Sequence, residues 1–514
     1  MSWIVLGEEK GKVKLVSKSD VDGLLPKGSF LTIEDKSSKY ILRIDDSSQI
    51  ESYSPSPMII DMDLSGLSAD QQCQNILYAY RIKEISNRSD GLIDFIKPQL
   101  VARRSSQDEI NIALGNKESG PKIFLATIHN GQNQLLIDEN KKYITANLPD
   151  DMFFHQILIC GKTGSGKTVA MKYFAQYFIE ELEGAVLAIN VKDIDFLQMN
   201  RPSTTNNDYI KAEWDILGKS PKGLQNYKIY YPNCIKLNNT PGIDLNFCEN
   251  VTLSVHKIEP DALTGLLQNI SDIGAQSLPS IFRYWQREKM NDYSSFNDFI
   301  KYFNEKSEDR DFRTLNPKGE ENIIILHRAT FENIQRNLDN ASIFFDNEGA
   351  KIINEDDILQ HGKMSVIHVP GGSATQFGAI VLRHLLKRIV NKKDEQKTNI
   401  KLLIIIDEVH QFYNAESSKE ALGDLDTICR TGRSKEIGVI FSSQNPSDIP
   451  KGLSSVINTK ISFKTDSQSV KDFELSVHEM ESLKKGYAVV NIHEMSQLKI
   501  IKFPLALSGV FDKS

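Results

Sequence analysis

The sequence predicts an α/β protein in which a parallel-sheet core is interrupted by a helical insertion and preceded by a small antiparallel β domain. Three observations carry this. Short strand-like runs punctuated by turns fill the chain up to about Thr145. From Phe153 the runs become longer and unbroken, each followed by a helical pattern, which is how buried parallel strands read. Between Asn200 and His361 that pattern gives way to polar loops alternating with helical stretches.

The overall numbers agree with such a chain. Its 514 residues suit two or three domains, and 40% hydrophobic with 25% charged residues describes an ordinary globular protein. A net charge of −7 excludes a surface coated in basic patches, although a few inward-facing loops suffice to bind DNA. Cys73, Cys160, Cys234, Cys248 and Cys429 have neither zinc-ligand spacing nor an even secretory framework, so free thiols in a reducing compartment are expected. The opening residues MSWIVLGEEKGKVKLVS lack a basic segment followed by a long apolar run, and no later stretch reaches membrane-spanning length. A cytoplasmic protein without membrane attachment is expected.

In chain order, WIVLGE, KVKLVS, GSFLTIED, KYILRID, KIFLATI, QLLID and KYITA read as strands of a small antiparallel barrel or sandwich. The spacing of Ile76, Leu77, Tyr80 and Ile82 predicts one helix among them, over roughly Ala69 to Ile85. The core strands are HQILIC (155–160), AVLAINV (185–191), MSVIHV (364–369), KLLIIID (401–407) and IGVIFSS (437–443), with NTKISFKT and GYAVVNI as antiparallel edge candidates. The expected domains are a β domain at 1–148, a core at 149–200 and 361–495, a helical insertion at 201–360, and a terminal strand and tail at 496–514.

Residues 161–168 read GKTGSGKT, a complete G-x-x-x-x-G-K-[ST] phosphate loop, after one apolar strand and before the helical stretch VAMKYFAQYFIEEL. Gly161, Gly164 and Gly166 let the backbone curl so that the N–H groups of Lys162, Thr163, Ser165 and their neighbours face phosphate oxygens at a helix N-terminus. Lys167 is expected on the β- and γ-phosphates of ATP, and Thr168 on Mg²⁺. Hydrolysis needs a carboxylate site as well. KLLIIIDEVHQF supplies one, with Asp407 for the metal's water shell and Glu408 to polarise the attacking water. The helical insertion accounts for much of the long separation of the two motifs, and the intervening strands argue for a RecA-like sheet whose catalytic strands are not sequence neighbours.

After the acidic pair, a basic loop over Arg430 to Lys435 leads into a strand ending at Gln444, placed to sense the γ-phosphate or the attacking water. Arg430 and Arg433 are the two candidates for a finger reaching across a subunit boundary.

These residues resemble the HerA branch of the HerA and FtsK superfamily of hexameric DNA-translocating ATPases. GKTGSGKT, IDEVH, RTGRSKEIGVIFSSQNPSDIP and the strand-rich start, which resembles the HAS barrel of HerA proteins, span nearly the whole chain in the right order. The resemblance implies a homohexamer with nucleotide between subunits, and Arg433 ahead of Arg430 as the finger. It implies ATP-driven translocation on double-stranded DNA with a nuclease partner, either NurA-like in DNA-end processing or a nuclease or sirtuin-like effector in phage defence. A ring scaffold that uses ATP to switch an effector is the alternative. A packaging or conjugation pump is weaker, since it calls for a membrane segment. Asn190 stands where HerA proteins commonly carry Asp, with Asp193 as a displaced acidic candidate, and His155 where many relatives have Arg. Loops near Lys192 to Arg201 and Pro370 to Gln376 are candidate DNA-gripping segments.

Overall fold

The computed structural model describes residues 3–17, 24–36, 38–51, 73–86, 95–129, 131–237, 240–267, 272–413, 422–465 and 477–511. Backbone contacts divide the chain into one unit of Met1–Asp150 with Ile461–Pro504 and a second of Asp151–Lys460 with Leu505–Ser514.

In the first unit, β1 (Trp3–Glu9), β2 (Lys12–Ser17), β3 (Phe30–Glu34), β4 (Ser38–Glu51), β5 (Cys73–Ser86) and β6 (Val101–Arg104) close a barrel in the order β1-β2-β5-β4-β3-β6. Inward alternation fills it with Trp3, Val5, Leu15, Ile33, Leu42, Leu77 and Ala79. The helix expected near Ala69 to Ile85 is not formed: 69–72 lie outside the described residues, and Cys73–Ser86 is β5, hydrogen-bonded antiparallel to β2 and β4. Two flanking ladders outweigh the local helical spacing, and the inward pair becomes Leu77 and Ala79.

Helix α1 (Gln107–Leu114) begins with a reciprocal cap between Ser106 and Glu109. The β7 strand (Lys122–His129) then pairs antiparallel with β8 (Gln132–Leu135) and β9 (Thr145–Asn147).

The second unit is built on β10 (Ile157–Cys160), β11 (Ala185–Asn190), β12 (Tyr227–Pro232), β13 (Cys248–Thr252), β16 (Lys351–Ile352), β17 (Met364–His368), β18 (Leu402–Ile406) and β19 (Ile437–Ser443). They lie in the order β16-β13-β12-β17-β11-β18-β19-β10, every neighbouring pair parallel. This is a RecA-like core. Its long helices are α2 (Lys167–Glu180), α3 (Asp208–Leu217), α4 (Asp272–Glu288), α5 (Phe296–Asn304), α6 (Arg328–Ala341), α7 (Ser373–Asp394) and α8 (Asp424–Lys435).

The segment 201–360 is less purely helical than expected. It supplies β12, β13 and β16 to the sheet edge and folds a separate hairpin of β14 (Asp311–Leu315) and β15 (Glu321–Ile325). Its helices pack through aromatic pairs, Phe282 on Phe299 at 4.8 Å and Phe303 on Phe331 at 4.9 Å between ring centroids. This cluster is continuous with Ile189, Val369 and Ile406 of the sheet. YKIYYP and CENVT mix polar and apolar residues, so they lack the unbroken aliphatic signature of the central strands.

Beyond β20 (Thr459–Ser462), β21 (Tyr487–Asn491) and β22 (Ile500–Lys502) pair antiparallel, and β22 pairs with β7. Those ladders group Ile461–Pro504 with the barrel unit, so the stretch to residue 495 does not follow the expected core boundary. Among the described residues, no helix is long and apolar enough to cross a membrane.

One ion-pair cluster anchors α1 to the barrel. Glu109 takes Arg103 through two contacts of 2.9 and 2.7 Å, Lys39 and Thr32 each at 2.9 Å, and the Ser106 N–H at 2.9 Å. Burial raises the carboxyl, but Arg103 and the other donors outweigh it and hold the group at about 2. Because this lies below the ordinary value of 4.5, the cluster stabilises the fold fully above that value and loses its contribution as pH falls toward 2. With Arg103 39% exposed, solvent screening reduces the gain. Glu109→Gln should therefore cost about 2 kcal/mol near neutral pH in urea unfolding. The gap to the unaltered protein should shrink by more than half near pH 3 and close near pH 2.

Candidate nucleotide site

The strand order decides what meets at the carboxyl edge of the second unit's sheet. β19 lies between β10 and β18, with Cys160 opposite Ser443 and Ile406 opposite Phe441. The loop 161–168, the pair Asp407–Glu408 and Gln444 therefore leave adjacent strands on the same edge.

Gly161, Gly164 and Gly166 have φ of 147°, 80° and 121°, the curl that this loop demands of glycine. A Cβ added at Gly164 would meet nothing within 4 Å, so the loop wall faces open space. Gly166 caps α2 without a side chain, leaving the first N–H groups of the helix available to an anion. Lys167 is buried and turns its ammonium onto the Gly161 carbonyl. Burial pushes its pKa down, opposed chiefly by Glu408. The Ser165 hydroxyl is buried without a hydrogen-bond partner among the described residues.

Across the edge, Asp407 is fully buried and Glu408 4% exposed. Asp407 Oδ1 accepts the Glu408 N–H at 3.1 Å, and Glu408 adopts a left-handed φ of 48°, a strained conformation for a non-glycine residue. Glu408 Oε2 accepts no hydrogen bond among the described residues; His410 Nδ1 lies 3.8 Å away.

Two further charged residues join this group that the motifs did not mark. Lys192 Nζ lies 2.9 Å from Asp407, 3.4 Å from Glu408 and 3.6 Å from Asp195, and Asp195 accepts the Thr168 hydroxyl at 3.2 Å. In the stretch Lys192 to Arg201, expected as a DNA-gripping loop, Asp193, Ile194 and Arg201 are exposed while Phe196, Leu197 and Met199 are buried, and Arg201 stacks on Phe511. The chain end supports it, since Ser203 and Thr204 donate backbone N–H groups to Leu507 and Val510, and Lys172 of α2 donates to the Gly509 carbonyl at 2.6 Å. In the other candidate segment, Gly371 and Gly372 turn with φ of 69° and 59°, and Gln376 donates to Asn337 at 3.2 Å.

The oxygens of Thr168, Asp195, Asp407 and Glu408 form a donor set suited to a hard divalent cation, and the Lys192 ammonium already stands among three of them as a cation. Among the described residues no three His, Cys, Asp or Glu side chains form a metal cage by themselves. A cation here fits the pattern in which one or two carboxylates are completed by water and phosphate oxygens.

The basic stretch Arg430 to Lys435, expected as a loop, is the end of α8, closed by Glu436 at a φ of 51°. Arg430 is tied within its own chain to Asp426 at 2.9 and 2.8 Å, whereas Arg433 is exposed and makes no hydrogen bond or ion pair among the described residues. Gln156 fixes the helix, donating to Cys429 O at 3.4 Å and accepting the Val439 N–H at 2.8 Å. Gly432 is needed there, because an added Cβ would lie 2.3 Å from Ile437 O. Gln444 is exposed at its strand end. His155 Nδ1 lies 3.3 Å from Asn458 Nδ2. Cys160, Cys234, Cys248 and Cys429 are free thiols, and burial raises Cys160 to about 12.

Asn190 has a structural task. Its amide donates to the Lys192 carbonyl at 2.5 Å and lies 3.0 Å from His368 Nδ1, while its oxygen accepts the Phe196 N–H at 3.4 Å. Burial lowers His368 to about 4, so the imidazole is neutral and accepts. Asn190→Asp would point an acceptor at two acceptors, costing about 2 kcal/mol near neutral pH. The new carboxylate would raise His368 above its ordinary 6.5, stabilising the variant below that pH, whereas the unaltered protein loses stability there by protonating a depressed histidine. The difference in unfolding free energy should narrow steadily from about pH 7 to pH 5.

Two family models match the chain: the central domain of helicase HerA over residues 136–389, and the helicase HerA-like C-terminal domain over residues 347–474. Among solved structures, the bacterial conjugative coupling protein TrwBdeltaN70 in its unbound monoclinic form is 12% identical, with 78% of this chain and 92% of that chain covered at a TM-score of 0.47. VirB4 of Thermoanaerobacter pseudethanolicus is 15% identical, with 76% and 97% covered at 0.44. The plasmid coupling protein TrwB in complex with ADP and Mg²⁺ is 14% identical, with 76% and 95% covered at 0.42. No curated protein matches the chain. The two HerA matches run without a break from residue 136 to residue 474 over the whole of the site just described, and the chain belongs to the HerA family of ATP-driven P-loop motors.

Proposed function

We propose that this protein is the subunit of a homohexameric ring that hydrolyses ATP between neighbouring subunits to translocate double-stranded DNA, working with a nuclease or another effector protein. The observation that carries the reading is the meeting of the phosphate loop, the buried acidic pair and Gln444 on one sheet edge, beside a helix that holds one arginine with no partner among the described residues.

In this reading the backbone of Gly161 to Thr168 and the Lys167 ammonium hold the phosphates of ATP, while Thr168 and Asp407 hold Mg²⁺. Bound there, the metal ion neutralises charge on the phosphate oxygens. Glu408, buried and with Oε2 unpaired among the described residues, orients and polarises the attacking water, and Gln444 meets the water or the γ-phosphate. Arg433 reaches the neighbouring subunit's nucleotide, since Arg430 is already engaged by Asp426. Family membership supports the DNA substrate, the ring and the effector partner, in DNA-end processing or antiviral defence.

Glu408→Gln is expected to keep nucleotide and metal affinity while slowing phosphate release by roughly a hundredfold or more, because an amide cannot polarise water as a carboxylate does. Loss of ATP affinity instead would show that Glu408 belongs to the binding set and not to the water.

The ring claim and the finger claim are tested together by mixing two inactive proteins. Lys167→Ala has a dead pocket and an intact finger, while Arg433→Ala has an intact pocket and no finger to lend. Under subunit exchange, part of the hydrolysis rate should return wherever the first lies on the correct side of the second. Recovery with Arg430→Ala in place of Arg433→Ala would move the finger to Arg430. No recovery with either, despite demonstrated exchange, would sink the shared site.

A further inference from the structure

The group that stands among the acidic oxygens of the nucleotide site belongs to the protein itself. Lys192 follows β11 on a short turn and carries its ammonium to 2.9 Å from Asp407 Oδ2, 3.4 Å from Glu408 Oε1 and 3.6 Å from Asp195 Oδ2. Asp407 and Glu408 are buried, and two buried carboxylates side by side repel each other and any incoming phosphate unless a cation compensates them. Lys192 supplies that compensation. Its side chain remains 35% exposed on a flexible four-carbon stem, and the next two residues, Asp193 and Ile194, are exposed, so a way out toward solvent is open.

The same oxygens are those that a divalent cation needs. Magnesium sits about 2.0–2.1 Å from its oxygen ligands or reaches them through its own water shell. An ammonium 2.9 Å from Asp407 and a divalent cation at that carboxylate compete for one place and repel each other. Asp195 bears on both, because its Oδ2 also accepts the hydroxyl of Thr168 at 3.2 Å. The partners of Thr168 and Lys192 must therefore be exchanged together when a metal enters.

We propose that Lys192 is a displaceable internal counter-ion of the nucleotide site: it offsets part of the charge of Asp407 and Glu408 in the metal-free state, and Mg²⁺ arriving with the nucleotide drives it out, releasing Thr168 from Asp195. The inference rests on the nucleotide-site reading given above and assigns Lys192 a positioning role, set by competition with the metal. It makes the site respond differently to free and magnesium-bound nucleotide. Without metal, Lys192 shields the phosphates from the acidic pair; with metal, it is a competitor.

The test is equilibrium binding of a fluorescent, non-hydrolysable ATP analogue to the full-length protein, in EDTA and across a magnesium titration. Lys192→Met keeps the stem and removes the charge. It should weaken metal-free binding by about tenfold or more. At saturating Mg²⁺ its affinity should equal or exceed that of the unaltered protein, with half-maximal tight binding at lower magnesium. Lys192→Arg keeps the charge and grips carboxylates with a fork, so it should preserve metal-free binding and shift the magnesium midpoint upward. That second variant keeps the test open if the first does not fold. Equal losses with and without metal in Lys192→Met would make Lys192 a direct phosphate ligand and overturn the proposal. An unchanged magnesium midpoint in both variants would overturn it as well. Failure of the unaltered protein to bind the analogue at all would instead overturn the nucleotide-site reading, and this inference with it.

Discussion

The arrangement of this ATPase depends on the parallel insertion of β19 between β10 and β18. The three strands are far apart in sequence, and each is buried and almost wholly aliphatic at its centre. Hydrogen bonding them in one direction brings their carboxyl ends to one edge, where the chain leaves the sheet and polar groups emerge. From that follow the nearness of the loop at Gly161 to the acidic pair, the burial of Asp407, and the outward placing of Gln444. A one-residue slip in parallel register would move each of these groups by about 3.3 Å and turn inward faces outward.

Charge at that edge is managed by exchange of partners. Lys167 rests on the Gly161 carbonyl, Lys192 beside the acidic pair, and Thr168 on Asp195, so these three groups suited to phosphate and metal are engaged inside the chain. In the proposed nucleotide complex each of these contacts is exchanged for one to phosphate or metal. Binding then replaces one set of interactions by another without leaving a buried charge bare, which matters because an uncompensated buried carboxylate costs several kcal/mol. The left-handed Glu408, its Oε2 unpaired among the described residues, fits a residue set up for chemistry rather than for stability.

Much of this was legible in the residues, and what was not has physical reasons. GKTGSGKT and the aliphatic runs ending at Asp407 and Ser443 are local signals whose meaning does not depend on the rest of the fold. The helix expected around Leu77 is a strand, because two neighbouring ladders override a short local period. The strands Tyr227–Pro232 and Cys248–Thr252 carry no comparable signal, because they mix polar and apolar residues and lack the unbroken aliphatic run of the central strands. The basic loop at Arg430 is helical, and only helical geometry places Asp426 four residues back to bind it. Lys192 and Asp195 belong to no motif. The one available signal was a charged cluster, VKDID, directly after a buried strand on the same sheet edge as the phosphate loop, and reading it required knowing the strand order.

The central claim is that one composite pocket, completed by a neighbouring subunit, binds Mg²⁺ and ATP at the edge described above. A cryo-electron microscopy structure of the assembled protein with Mg²⁺ and a transition-state mimic of ATP would test it most directly. The account predicts phosphate density in the loop from Gly161 to Thr168, metal between Thr168 and Asp407, Lys192 withdrawn from the acidic pair, and the neighbour's Arg433 at the γ-phosphate. Nucleotide bound elsewhere, or metal absent from Asp407 with Lys192 still in place, would contradict it.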